Sequence, residues 1–98
     1  MSDHYNVQTG EVYFKGEKYY LTKTEIKIFD RLNKKDGIVT FEELYESMYG
    51  IKPDILRESE RKMIRTNISR ISSKIKPLII INRVGFGYEL KRKVSTNE

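Results

Sequence analysis

The stretch RTNISRISSKIKP, residues 65–77, decides the fold. With Ile64 just before it, Ile68, Ile71 and Ile75 recur at spacings of four, three and four. At about 100° per residue these side chains fall within one narrow arc, the stripe by which a helix is buried against a core. The same rotation puts Lys62, Thr66, Ser69, Arg70 and Ser73 on the opposite arc, with Asn67 and Lys74 on one flank and Arg65, Ser72 and Lys76 on the other. That outer face carries no acid. Ser, Thr and Asn are each roughly half a kcal/mol poorer than Ala in a helix, so the isoleucine stripe must hold this one in place. Two readings of the face stand open. Short hydroxyl and amide side chains let a backbone approach a grooved surface and bond phosphate oxygens or base edges, while Arg and Lys add charge and guanine contacts, which suits a DNA major groove. The alternative is an ordinary solvated face.

Working outward, Pro77 biases the residue before it away from helical angles, so this helix ends by Lys76 and spans about 58–76. Upstream, LTKTEI (21–26) and VTFEEL (39–44) repeat one design: an apolar residue, a threonine, two others, a glutamate and another apolar residue. Both are helix starts in which Thr22 and Thr40 cap, Glu25 and Glu43 reach back, and Leu21/Ile26 and Val39/Leu44 staple the entry. The first helix runs to about Lys34, burying Ile26, Ile28, Phe29 and Leu32, and Asp36-Gly37 stops it. The second runs from Phe41 to about Tyr49 and ends at Gly50. Residues 50–58, with Pro53 and no clean period, form a loop. The first twenty-one residues, rich in aromatic and β-branched side chains around Thr9-Gly10 and Lys15-Gly16-Glu17, predict a small antiparallel meander. After Pro77, LIIINR and YEL flank Val84-Gly85-Phe86-Gly87 as a β-hairpin.

Ninety-eight residues make one domain, with an ordered core over about 4–91 and a polar, frayed tail over 92–98. There is no cysteine for a disulfide or thiolate site, no apolar run long enough for a membrane span and no signal peptide, which together fit a cytoplasmic setting. The net charge of +5 is unevenly spread. Residues 57–98 hold eleven Lys and Arg against four acids, and residues 1–56 hold eight against ten. An anionic partner facing the C-terminal half is expected, with nucleic acid ahead of a membrane surface or an acidic protein. Enzymatic chemistry has little to work with. His4 stands without a Cys or paired carboxylates and reads as an exposed terminal residue. Glu42, Glu43 and Glu46 suit a helix start, and no helix follows Gly85-Phe86-Gly87. No cofactor is called for. Tyr13, Phe14, Tyr19 and Tyr20 could stack single-stranded bases, or pack on the helices. Tyr45 and Tyr49 could anchor a protein partner, or lie partly buried beneath the loop.

Two short helices joined by a Gly turn, a long helix with a basic face and a hairpin carrying Arg83 follow the order of an α+β winged helix-turn-helix. The chain resembles the C-terminal effector domain of OmpR/PhoB-type response regulators. VYFKGEKYYLTKTEIKIFDRL is similar to that family's strand, turn, strand and LT..E..LL..L opening, GIVTFEELYESMYG to its G.v.sreeL...vwg, IRTNISRISSKI to its v.vhI.rLR.KL, and GFGYEL to its closing G.GY.l. The four lie in order from about Val12 to Leu90. The resemblance implies sequence-selective binding of promoter or operator duplex DNA by a transcriptional regulator, with the third helix in the major groove and the wing on the adjacent minor groove or backbone. It also implies RNA polymerase as a partner through loop 50–58 and two copies on tandem half-sites. The groove-facing positions it implies are Lys62, Thr66, Asn67, Ser69, Arg70, Ser72 and Ser73.

Three departures from the family's pattern bear on function. Ser69, Ser72 and Ser73 stand where arginines are usual, which implies weaker or more salt-sensitive binding. In the wing the usual apolar-then-basic order is inverted to Arg83-Val84, so either the register shifts or another residue meets DNA, with Arg83 first and Asn82 second in expectation. Met1 reads as a native start without a receiver domain before it, so that abundance, a partner or dimerisation would replace phosphorylation as the switch; alternatively the chain is a piece of a longer regulator. Outside this function class, the alternatives are a winged-helix protein-interaction module and a replication or partition accessory factor of a mobile element.

Overall fold

The computed structural model describes residues 3–91 and 94–96. Strands β1 (His4–Asn6), β2 (Glu11–Phe14) and β3 (Glu17–Tyr20) form the expected antiparallel meander, with Tyr5 opposite Val12 and Val12 opposite Tyr19. The period of two sends Tyr5, Val12 and Phe14 inward, where all three are buried. His4, Tyr13, Lys18 and Tyr20 lie on or toward the other face. His4 is not the free terminal residue expected: it pairs across to Tyr13 and stacks on that ring at 4.4 Å, because β1 begins one residue earlier than its aromatic content indicates. Tyr5 meets Phe29 edge to face at 5.0 Å, which seats the meander on the first helix.

Helices α1 (Lys23–Lys34) and α2 (Phe41–Tyr49) both open with complete capping boxes. Thr22 accepts from the Glu25 amide at 3.2 Å while Glu25 accepts from the Thr22 amide at 2.9 Å, and Thr40 and Glu43 repeat this at 3.1 and 3.0 Å. Gly50 closes α2 in the left-handed region at φ 78°, its N–H reaching the Glu46 carbonyl at 2.7 Å, a conformation that glycine adopts without Cβ strain. Helix α3 (Glu58–Lys74) begins after Arg57, whose amide donates to the Glu60 carboxylate at 2.8 Å. It ends two residues short of the 58–76 span. Ile75 leaves helical angles at φ −116° and ψ 78°, and the Leu78 amide returns to its carbonyl at 3.0 Å in a turn that contains Pro77, while Ile75 stays in the core.

Strands β5 (Ile80–Arg83) and β6 (Gly87–Leu90) form the wing, and Val39–Thr40, read from sequence only as a helix entry, is also a strand, β4, paired with Gly87 and Tyr88. The second sheet has the order β4-β6-β5. Gly87 is what lets β4 in: a Cβ there would lie 2.0 Å from the Val39 carbonyl oxygen. One core, from Tyr5 through Phe29, Leu44, Ile64, Ile71 and Leu90 to Val94, runs through both sheets and all three helices.

The tail is not frayed throughout. Val94 is buried, Ser95–Thr96 form β7 parallel to β1, and the Asn33 side chain both donates to the Val94 carbonyl and accepts from its amide. An amide in this position substitutes for a paired strand. Arg92, Lys93, Asn97 and Glu98 of the expected tail, and Met1 and Ser2 of the expected start, lie outside the described residues.

Candidate nucleic-acid interface

Ile64, Ile71 and Ile75 are completely buried and Ile68 nearly so, which fixes the roll of α3 about its axis. That roll presents Lys62, Thr66, Ser69, Arg70 and Ser73 to solvent, with Ser72 half-buried beside them. The Thr66 hydroxyl donates back to the Lys62 carbonyl at 3.0 Å, which leaves its oxygen lone pairs free to accept on the exposed face. Asn67 departs from the expected face. It is 7% exposed, and its amide donates to the Met63 carbonyl at 3.0 Å. The rotation puts it only about 60° from the stripe on a flank turned toward the bundle; on the same flank Lys74 bonds Glu25 of α1 at 2.6 Å.

The charges on α3 divide into two sets. Among the described residues no acid lies within ion-pair distance of Lys62 or Arg70, or of Lys76 just beyond the helix end, so the outer face keeps its positive potential. Arg61 and Arg65, which sequence reasoning left out of the site, are paired: Arg65 with Glu58 at 2.8 Å and Arg61 with Glu42 at 3.7 Å. Both guanidinium groups also lie over the Phe41 ring, at 5.1 Å for Arg61 and 5.6 Å for Arg65, and Phe41 in turn meets Tyr88 of β6 edge to face at 5.7 Å. The flank assignment of Arg65 was legible in the sequence. Phe41 as its platform was not, since nothing local links residue 41 to residue 65.

In the wing the register is regular, with Arg83 opposite Gly87, so the inverted Arg83-Val84 order does not shift the strands. Arg83 and Asn82 are both exposed, but Arg83 reaches across to Glu89, Nε at 3.0 Å and Nη2 at 2.8 Å from one carboxylate oxygen. The tip beyond it presents apolar side chains, with Val84 82% and Phe86 68% exposed. A second apolar projection is the loop after α2, where Ile51 and Ile55 stand in solvent. Of Tyr13, Phe14, Tyr19 and Tyr20, Phe14 and Tyr19 pack against the core while Tyr13 and Tyr20 do not. Tyr45 is partly buried, and Tyr49 leans on it at 4.7 Å with its hydroxyl 3.3 Å from the Met63 sulfur. No helix among the described residues is long and apolar enough to cross a membrane.

No family model matches the chain, and a search of curated proteins gives no match. Among solved structures the chain is similar to the response regulator AdeR DNA-binding domain, solved in complex with an intercistronic region. The two share 25% sequence identity and superpose with a TM-score of 0.68 over 92% of this chain and 94% of that one. Helix order, wing and N-terminal meander coincide with the motifs quoted above, and the chain has the winged helix-turn-helix fold of the OmpR/PhoB-type effector domain that those motifs resemble.

Proposed function

We propose that this chain is a sequence-selective double-stranded DNA-binding domain acting in transcriptional regulation, by binding and not by catalysis. The observation that carries this reading is the acid-free outer face of α3, whose cations Lys62 and Arg70 meet no acid among the described residues and whose roll is locked by buried isoleucines. Support comes from the AdeR domain, which has this fold and was solved on an intercistronic region.

With α3 in a major groove, Arg70 is placed to read a guanine, and Thr66 offers a methyl group to thymine or lone pairs to an exocyclic amine. Lys62, Ser69, Ser72 and Ser73 supply phosphate or base-edge contacts, and Asn82 and Arg83 accompany them on the wing. Asn67 acts through α3, not on DNA. Loop 50–58, where Ile51 and Ile55 are exposed, is the surface offered to RNA polymerase in this reading, and two copies occupy tandem half-sites in the cytoplasm.

The test is selection from a random duplex pool at two salt concentrations. An enriched motif, with affinity falling as salt rises, is the expected result. Binding without a motif would replace regulation with an architectural role, and no binding at low salt would transfer the face to a protein partner.

A further inference from the structure

Adjacent major and minor grooves of duplex DNA are separated by a single run of phosphates. A protein with a helix in one groove and a hairpin in the other straddles that run, and whatever lies between helix and hairpin faces it. Here that place is taken by Phe41, which leads out of β4, touches Tyr88 at the base of the wing, and carries Arg61 and Arg65 of α3 on its ring. The two guanidinium groups stand one helical turn apart on the flank of α3 nearest the wing.

Their partners are the replaceable kind. The Glu42 and Glu58 side chains are 52% and 74% exposed, and each stands in the first turn of its own helix. There the helix dipole favours a carboxylate whether or not an arginine is beside it, so each acid keeps a favourable setting when its arginine turns away. A planar guanidinium already braced on an aromatic ring loses little freedom on meeting a phosphate.

Resting on the DNA-binding reading above, we propose that Arg61 and Arg65, braced on Phe41, form a clamp for the phosphodiester backbone between the two grooves, and that Glu42 and Glu58 hold the clamp in reserve as competing anions. The clamp offsets the scarcity of arginine on the outer face, where serines stand. The two carboxylates weaken attraction to DNA of any sequence, so a larger share of the total affinity comes from base contacts.

The experiment measures affinity against salt for the selected site with wild type, Arg65→Ala, Arg65→Lys and Glu58→Gln, each checked for an intact melting transition, followed by a scan of single neutral methylphosphonates along both strands. Arg65→Ala is expected to make the salt slope shallower by about 0.9, the value of one lost phosphate contact, with the selected motif unchanged. Arg65→Lys should keep the slope and bind more weakly, having the charge without the planar, two-pronged guanidinium. Glu58→Gln should bind roughly two- to fivefold more tightly, the range an exposed ion pair can withhold, and equally so on unrelated duplexes. One methylphosphonate position should weaken wild type and leave Arg65→Ala unaffected. A wild-type slope in Arg65→Ala, or unchanged affinity in Glu58→Gln, overturns the clamp while leaving motif-selective binding standing. Absence of duplex binding by wild type overturns both readings.

Discussion

Replacing Glu43 by Gln isolates the charge that ties α2 to α1. The carboxylate receives Lys35 at 2.6 Å, Arg31 at 3.3 Å and the Thr40 amide at 3.0 Å. Burial acts to raise its pKa, but these three donors outweigh it and hold the carboxyl at about 2 against an ordinary 4.5. At about 1.4 kcal/mol per pKa unit, that difference sets a ceiling of about 3.5 kcal/mol on the stability it contributes at neutral pH. The side chain is 23% exposed and its cations more so, so roughly half the ceiling, between 1 and 2 kcal/mol, is expected after solvent screening. Because the folded carboxyl is depressed, the contribution is complete above the ordinary carboxylate range and fades as pH falls toward 2. Gln can still accept from the Thr40 amide, so the cap survives and only the charge is lost. Urea unfolding followed by circular dichroism at pH 7, 5 and 3 measures this directly. Wild type should exceed Glu43→Gln by the same amount at pH 7 and 5 and by less than half as much at pH 3. A gap that is constant down to pH 3, or smaller than about 0.5 kcal/mol at pH 7, would refute the assignment of the network as a charge-dependent tie.

The remaining predictions address the two faces of α3, the wing and the tail. Arg70→Ala should cost about 1–3 kcal/mol of binding to a selected site and relax preference at one base position, with melting unchanged; an unaltered titration would remove Arg70 from base reading. Ile68→Ala should lose roughly 2–5 kcal/mol of fold stability by leaving a cavity, so melting at the parental temperature would mean the roll of α3 is wrong. Gly87→Ala should destabilise by about 1–3 kcal/mol through the clash with the Val39 carbonyl, visible as fast amide exchange in β4 and β6 and slow exchange in α1. Asn33→Ala should cost about 1–3 kcal/mol and release the Val94 amide to rapid hydrogen exchange; retained protection there would show that β7 holds without it.

The parts legible in the sequence are those whose causes lie within a few residues of one another. Thr22 with Glu25 and Thr40 with Glu43 cap across three positions, the isoleucine stripe repeats within one or two turns, and Gly50 acts on the turn that precedes it. These local couplings determined where the helices start and which side of α3 faces out, and the family motifs supplied the order of the elements. Asn67, set on a flank by rotation and among the groove-facing positions only by the resemblance, is buried, since rotation alone does not say how wide an arc the neighbouring helices cover.

Tertiary structure decided what depends on contacts remote in sequence. Val39–Thr40 became a strand only because Gly87, far along the chain, has no side chain to keep it away. Val94 is held by Asn33 across 61 positions, so a polar tail with nothing local to order it is nonetheless fastened to β1. Arg61 and Arg65 came to rest on Phe41 by packing between elements that no period or cap encodes. Short-range hydrogen bonding and periodicity are properties of a segment, whereas the partner available to a charge or an unpaired strand exists only once the segments have been brought together.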